Sequence, residues 1–259
     1  MLFSYNRFHH AVFMTYANEY TGMINSRYNS VEYYFNLKRT NDSLVKANEA
    51  LYNKLRQNFE FPDTLNKQVT DTIKVDSLTS YRKYLYMHAK VVGNSVNVPN
   101  NYIQISRGAL QGVDKDLGVI DVNGAVVGHI VDFSNNYAVV MSLLHRQNNT
   151  SARLKKTGEA GSIVWDGVRT NVVILKDIQK GVKVSIGDSI VTSGYTERFP
   201  YGLLIGRVME IENDTRTNNY VIRVKTAADF YNLQYVYIIN NLKKEELNDI
   251  MKRVKKANE

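Results

Sequence analysis

The feature that most constrains this chain is a change of hydrophobic period along its length. Residues 15–60 hold no Pro and a single Gly, Gly22, and their apolar positions recur at helical spacing. From Tyr84 to Asn240 the pattern becomes short alternating apolar runs punctuated by Gly and Asn, which predicts an all-β region. A long helix followed by many short strands excludes a doubly wound sheet, because that fold needs helices between successive strands. The reading is therefore mainly β with an N-terminal α-helical coiled coil. The strands are too many for one small barrel, so they divide into two β-domains split near residue 150.

The chain then divides as a juxtamembrane segment at 1–14, the helix at 15–60 and a linker at 61–83. The first β-domain follows at 84–150, the second at 151–241, and a basic helix or tail at 242–259. Pro62-Asp63 stops the first helix, and Leu247, Ile250, Met251 and Val254 return to helical spacing at the end. Within the β-region, Val119–Val122 and Ala125–Val131 flank Asn123-Gly124, which predicts a hairpin with a type I′ turn. Further strands are expected at 138–144, 162–165, 171–175, 188–192, 203–212, 220–225 and 235–239.

Counting heptads from Tyr34 places Leu37, Leu44 and Leu51 at d, and Tyr34, Asn41, Asn48 and Leu55 at a. Leu at d with Asn at a favours a parallel two-stranded coil, since a buried Asn pairs with its mate and penalises other registers. The e positions (Lys38, Val45, Tyr52) and g positions (Tyr33, Thr40, Ala47, Lys54) offer little complementary charge. Two readings stand side by side: a homodimer seam, and a single amphipathic helix that packs on the β-region or is solvated.

Composition narrows function mainly by exclusion. The chain has no Cys, so disulfides, thiolate metal sites and a Cys nucleophile are ruled out. Its net charge of +8 suits a polyanion or an anionic surface. The charge is spread along the chain apart from a denser run at 243–256, and no nucleic-acid-binding motif accompanies it. No run of 18 apolar residues is present, so no segment reads as a membrane span. Residues 2–8 leave two readings open: the trailing edge of a membrane helix missing from this chain, or the start of a soluble protein.

Candidate chemistry is sparse. Gly187-Asp188-Ser189 resembles the nucleophile turn of trypsin-fold proteases, but Ile190 and Val191 follow where an oxyanion hole needs small residues. Ser189 and Ser193 are the serines of that rival reading, with His129 and His145 as bases and Asp166 or Asp177 between. His9-His10 lacks a carboxylate at ligand spacing, and Gly108-x-x-x-Gly112 lacks the Lys-Ser/Thr of a phosphate loop. No catalytic residue, metal site or cofactor is expected.

Thr192-Ser193-Gly194-Tyr195-Thr196-Glu197-Arg198-Phe199-Pro200-Tyr201-Gly202-Leu203-Leu204-Ile205-Gly206 resembles the TSG…FPxGxxxG signature of the MreC family of rod shape-determining proteins. Gly118-Val119-Ile120, Gly124-x-Val126-Val127-Gly128, Gly161–Gly167 and Ala227-Ala228-Asp229-Phe230 are similar to other family segments, in the family's order. The resemblance implies an N-terminal membrane helix, a long helix and two six-stranded β-barrels arranged as in chymotrypsin-type proteases but without the catalytic residues. It also implies a non-catalytic scaffold that dimerises or assembles further. Its implied partners are MreD, the actin-like MreB system, and the class B penicillin-binding transpeptidase with its glycosyltransferase. The implied place is the outer side of the cytoplasmic membrane. The basic tail falls outside the signature, leaving anionic lipid or glycan binding as a further alternative.

Overall fold

The structure is a computed structural model that describes residues 37–55, 58–60, 72–75, 78–244, 246, 249, 250 and 253. Among the described residues, those up to Asn48 fall in one unit and those from Glu49 in a second. Helix α1 runs over 37–54. Tyr34 and residues 15–36 of the expected helix lie outside the described residues.

Three strands follow, β1 (Phe59–Glu60) at the end of the stretch read as helix, and β2 (Thr72–Val75) and β3 (Leu78–Arg82) in the stretch read as a linker, paired antiparallel in the order β1-β3-β2. The helix thus ends several residues before position 60. Segments this short, with no clear alternation, gain strand character from their pairing partners rather than from their own pattern.

The β-region comprises β4 (Tyr84–Asn94), β5 (Asn100–Ile105), β6 (Gly118–Asp121), β7 (Val126–Phe133) and β8 (Ala138–His145). Next come β9 (Thr150–Leu154), β10 (Ala160–Val164), β11 (Val172–Gln179), β12 (Ser189–Thr192), β13 (Leu204–Asn213), β14 (Asn219–Thr226) and β15 (Tyr235–Asn241). They close into two six-stranded antiparallel barrels, β15-β4-β5-β8-β7-β6 and β10-β11-β14-β13-β12-β9. Closure removes sheet edges that would otherwise invite aggregation.

One strand lies elsewhere than the linear division places it. β15, assigned by position to the second β-domain, closes the first barrel by pairing with β4 and β6. Its Val236, Tyr237 and Ile238 are completely buried there, so the first barrel is discontinuous in sequence. Chain order carries no signal for such a return; the partner strands decide it.

Period-two alternation builds both interiors. In β5, Asn101, Ile103 and Ile105 point inward while their neighbours are exposed, and Asn101 Nδ2 donates to Leu144 O at 2.7 Å. The second interior gathers Leu154, Ile163, Leu175, Ile190, Ile205 and Val224, all buried. Each such side chain contributes about 1.5–3 kcal/mol over exposure.

The β6–β7 hairpin forms, but not by a type I′ turn. Only Gly124 is left-handed (φ 82°); Asn123 has no positive φ. Gly124 N–H donates to Asp121 O (3.1 Å) and Asp121 N–H to Ala125 O (2.8 Å), the pattern of a type I turn followed by a left-handed residue. The Asp121 carboxylate decides this by accepting Asn123 N–H (2.9 Å) and Ala125 N–H (2.8 Å), an Asx-type closure. At the C-terminus, described residues 244, 246, 249, 250 and 253 are helical, while Leu247, Met251 and Val254 of the expected helix lie outside the described residues.

Candidate functional site

Two surfaces gather the residues singled out in the sequence. The first is α1. Leu37, Leu44, Leu51 and Leu55 are exposed, Leu51 by 62%, and Asn41 and Asn48 are exposed beside them. These positions repeat every three or four residues and so share one stripe of the helix. A run of large apolar side chains in water is a cost that a second helix would relieve.

The last turns of α1 turn a neighbouring stripe to the first barrel. Asn53 Oδ1 accepts Tyr86 N–H (2.7 Å) and its Nδ2 donates to Tyr86 O (2.9 Å), standing in for a missing strand neighbour. The need arises because β4 pairs with β5 only from Val91 onward, leaving the edge of its first half open. Tyr52 stacks on Tyr86 (centroids 5.3 Å) and leans on Tyr237 (5.1 Å), and Glu49 bonds His88 Nδ1. Burial, then the nearby Asp121 charge, pushes the Tyr52 hydroxyl pKa up, so it stays neutral. Docking through Glu49, Tyr52 and Asn53 leaves Leu51 and Leu55 uncovered.

The second surface is the corner between β12 and β13, where the Thr192–Gly206 motif lies. Thr192 Oγ1 donates to Pro200 O (2.6 Å) and accepts Leu203 N–H (3.0 Å), fastening both ends of the corner. Ser193 Oγ meets Ser151 Oγ at 2.8 Å and accepts Tyr195 N–H (3.1 Å). Gly194 and Gly202 adopt φ of 73° and 91°, and Gly206 lies where a Cβ would fall 2.1 Å from Lys225 O. Pro200 is buried, and Phe199 is 2% exposed.

Phe199 explains why the corner has this shape. A Cβ on Gly118 of β6 would meet the Phe199 ring at 2.5 Å and Arg198 O at 2.4 Å, so the ring is seated directly on the first barrel's backbone. Arg198 Nη2 pairs with Asp116 (2.8 Å), Asn241 Nδ2 donates to Glu197 O (3.4 Å), and Ala125 bridges Leu204 in parallel. The motif is thus the fastening between the two barrels, a role its pattern of glycines and Phe-Pro did not disclose.

His129 lies across from Gly118 in β7 and is 5% exposed, with Nδ1 unpartnered. Burial, reinforced by the Arg198 charge, pushes its pKa down to about 4. It is a neutral core group. His145 is also buried; its Nδ1 accepts Gln147 N–H (3.0 Å) and its ring meets Tyr102 edge-on at 4.8 Å. Ser189 Oγ accepts from Arg207 (3.2 Å), and Asp166 is engaged by Arg223 (3.5 Å). Among the described residues neither serine hydroxyl is bonded to a histidine, so a His-Asp-Ser relay is not assembled. No cluster of three or more metal-ligating side chains is present among them, and none of their helices is long and apolar enough to cross a membrane.

The comparisons with known proteins agree with this architecture. Residues 91–240 match the family described as rod shape-determining protein MreC, barrel core. The cell shape-determining protein MreC of Geobacillus stearothermophilus is 31% identical over 214 residues, covering 75% of this chain and 72% of that protein. Among solved structures, MreC of Listeria monocytogenes superposes with a TM-score of 0.56 at 21% identity, over 88% of this chain and 94% of that one. A complex between penicillin-binding protein PBP2 and MreC from Helicobacter pylori gives 0.50 at 16% identity, over 62% and 99%. With twin closed barrels, the motif at their junction and these similarities together, the chain belongs to the MreC family of cell shape-determining proteins.

Proposed function

We propose that this chain is a non-catalytic, extracytoplasmic scaffold of the cell-wall elongation complex, which maintains cell shape by binding and positioning peptidoglycan-synthesis proteins. The observation that carries this reading is the pairing of family membership with a relative solved in complex with PBP2, a penicillin-binding protein. The Phe199 fastening supports it physically, because two barrels locked at one corner present their outer faces in a constant mutual orientation. The exposed Leu37–Leu44–Leu51 stripe, with Asn41, Asn48 and Leu55 beside it, supports a parallel homodimer that doubles every docking face. Tyr34 extends the same seam by its heptad position.

On this reading the partners are a class B transpeptidase and its glycosyltransferase outside the membrane, and MreD with the MreB filament system through an N-terminal membrane helix. No chemistry is assigned to Ser189 or Ser193, whose hydroxyls are engaged by Arg207 and by Ser151. The experiment is a pull-down from detergent-solubilised envelope with this chain as bait and a transpeptidase-specific antibody as readout. Enrichment of the transpeptidase is expected. Its absence under conditions where the bait self-associates would reject the reading.

A further inference from the structure

Cations on the outer face of the second barrel stand opposite one another with no carboxylate between them. Arg207 of β13 stands directly opposite Lys225 of β14, and both are exposed. Like charges facing each other across strands destabilise a sheet. Ser189 of β12 is opposite Arg207, and Lys155 follows β9 with its N–H on Ser189 O (2.9 Å). Lys225, Arg207 and Lys155 therefore lie along one row across four strands, about 14 Å at the usual strand spacing. None of the three is paired with a carboxylate among the described residues. Asp188, adjacent in sequence, turns its carboxylate to Ser185 N–H (2.8 Å) instead.

The contrast lies two residues away on the same strand. Arg223 is surrounded by Asp166 (3.5 Å), Glu210 (3.3 Å) and Glu212 (3.5 Å), so the barrel neutralises a cation where it has acids to hand. The Arg207–Lys225 row has no such acid, and Arg207 Nη1 donates only to neutral oxygens, Gly187 O (3.3 Å) and Ser189 Oγ (3.2 Å).

The row ends in an aromatic clamp. Arg153 of β9, two residues before Lys155, has its guanidinium carbon 4.8 Å from the Tyr195 ring centre and 5.4 Å from that of Tyr201. Its Nη2 donates to Tyr195 Oη (2.5 Å). Tyr195 and Tyr201 are 72% and 59% exposed, on the corner that fastens the barrels. Solvent-facing rings beside a line of cations without carboxylate partners offer flat stacking surfaces and regularly placed charge to one ligand.

We propose that this face binds a linear glycan carrying regularly spaced carboxylates, with sugar rings against Tyr195 and Tyr201 and carboxylates on Arg207, Lys225 and Lys155. The inference goes beyond the scaffold reading: it gives the protein contact with a polymer as well as with the enzymes that make one. It does not depend on which enzyme docks.

The test uses the full chain and a fluorescein-labelled hyaluronate oligosaccharide, read by anisotropy at low salt. Poly-glutamate of equal charge and phosphatidylglycerol vesicles serve as rival probes. Hyaluronate is expected to bind about tenfold more tightly than poly-glutamate, and Tyr195→Ala/Tyr201→Ala should remove that margin. Lys155→Gln/Lys225→Gln should weaken hyaluronate binding about tenfold while the melting temperature stays level or rises, since the repulsion between Lys225 and Arg207 is relieved and the hydrogen bonds of Arg207 to Gly187 O and Ser189 Oγ are kept. A fall in melting temperature would make the two cations structural and overturn the proposal. Equal binding of poly-glutamate would assign the face to an acidic protein partner. Preference for vesicles would assign it to a membrane, and binding of no probe would leave no ligand site; each of these overturns it too.

Discussion

Phe199 and His129 show how much single buried side chains contribute, one at the junction of the two barrels and one inside the first. Phe199 is almost fully buried against the Gly118 backbone, so Phe199→Ala removes a large ring from a contact that cannot collapse. The expected loss is about 3–5 kcal/mol, read as a lower chemical-denaturation midpoint. His129 adds a dependence on acid. Its folded pKa of about 4 lies below the ordinary 6.5, so the fold favours the neutral ring. That preference is fully present above pH 6.5 and is lost as pH falls from 6.5 toward 4. The cost at the acid end is about 3 kcal/mol. Against His129→Gln, which cannot titrate, wild-type stability should fall more steeply between pH 6.5 and 4. Parallel denaturation curves across that interval would contradict the assignment.

Helix α1 shows at the level of elements how one segment serves two surfaces. Its heptad spacing is plain in the sequence, as are the Leu and Asn positions of the stripe. What the spacing left open was whether that stripe or another faces the barrel. The answer came from Glu49, Tyr52 and Asn53, which meet His88, Tyr86 and Tyr237 and leave Leu51 outward. None of those three carries a recognisable pairing pattern, because the groups they satisfy on β4 lie far along the chain. Leu44→Asp/Leu51→Asp should therefore abolish self-association in sedimentation while the barrels keep their melting temperature. Unchanged sedimentation would dismiss the seam. The hairpin teaches a related lesson: Asn123-Gly124 marked the turn, but the Asp121 carboxylate selected its type.

At the scale of the whole molecule the decisive feature is that one barrel is continuous in sequence and the other is not. Strands β9 to β14 close the second barrel within Thr150–Thr226, whereas the first waits for β15. A fragment of residues 84–149 exposes the edges of β4 and β6 that β15 covers. It should show no protected amides by hydrogen exchange. Residues 148–230 should give a cooperative transition. Protection in the first fragment would mean that the barrel closes without its sixth strand.

The sequence by itself determined the helix stripe, the all-β character from Tyr84 onward and most strand positions, because these depend on periods of 3.6 and 2 that a residue carries locally. The family motif was equally legible as a string of residues. Only the tertiary structure decided that β15 belongs to the first barrel and that Phe199 is a fastener across two domains. It alone set Arg207 opposite Lys225. Each of these is a contact between residues distant in the chain, fixed by strand register and close approach of backbones, and no local period records it.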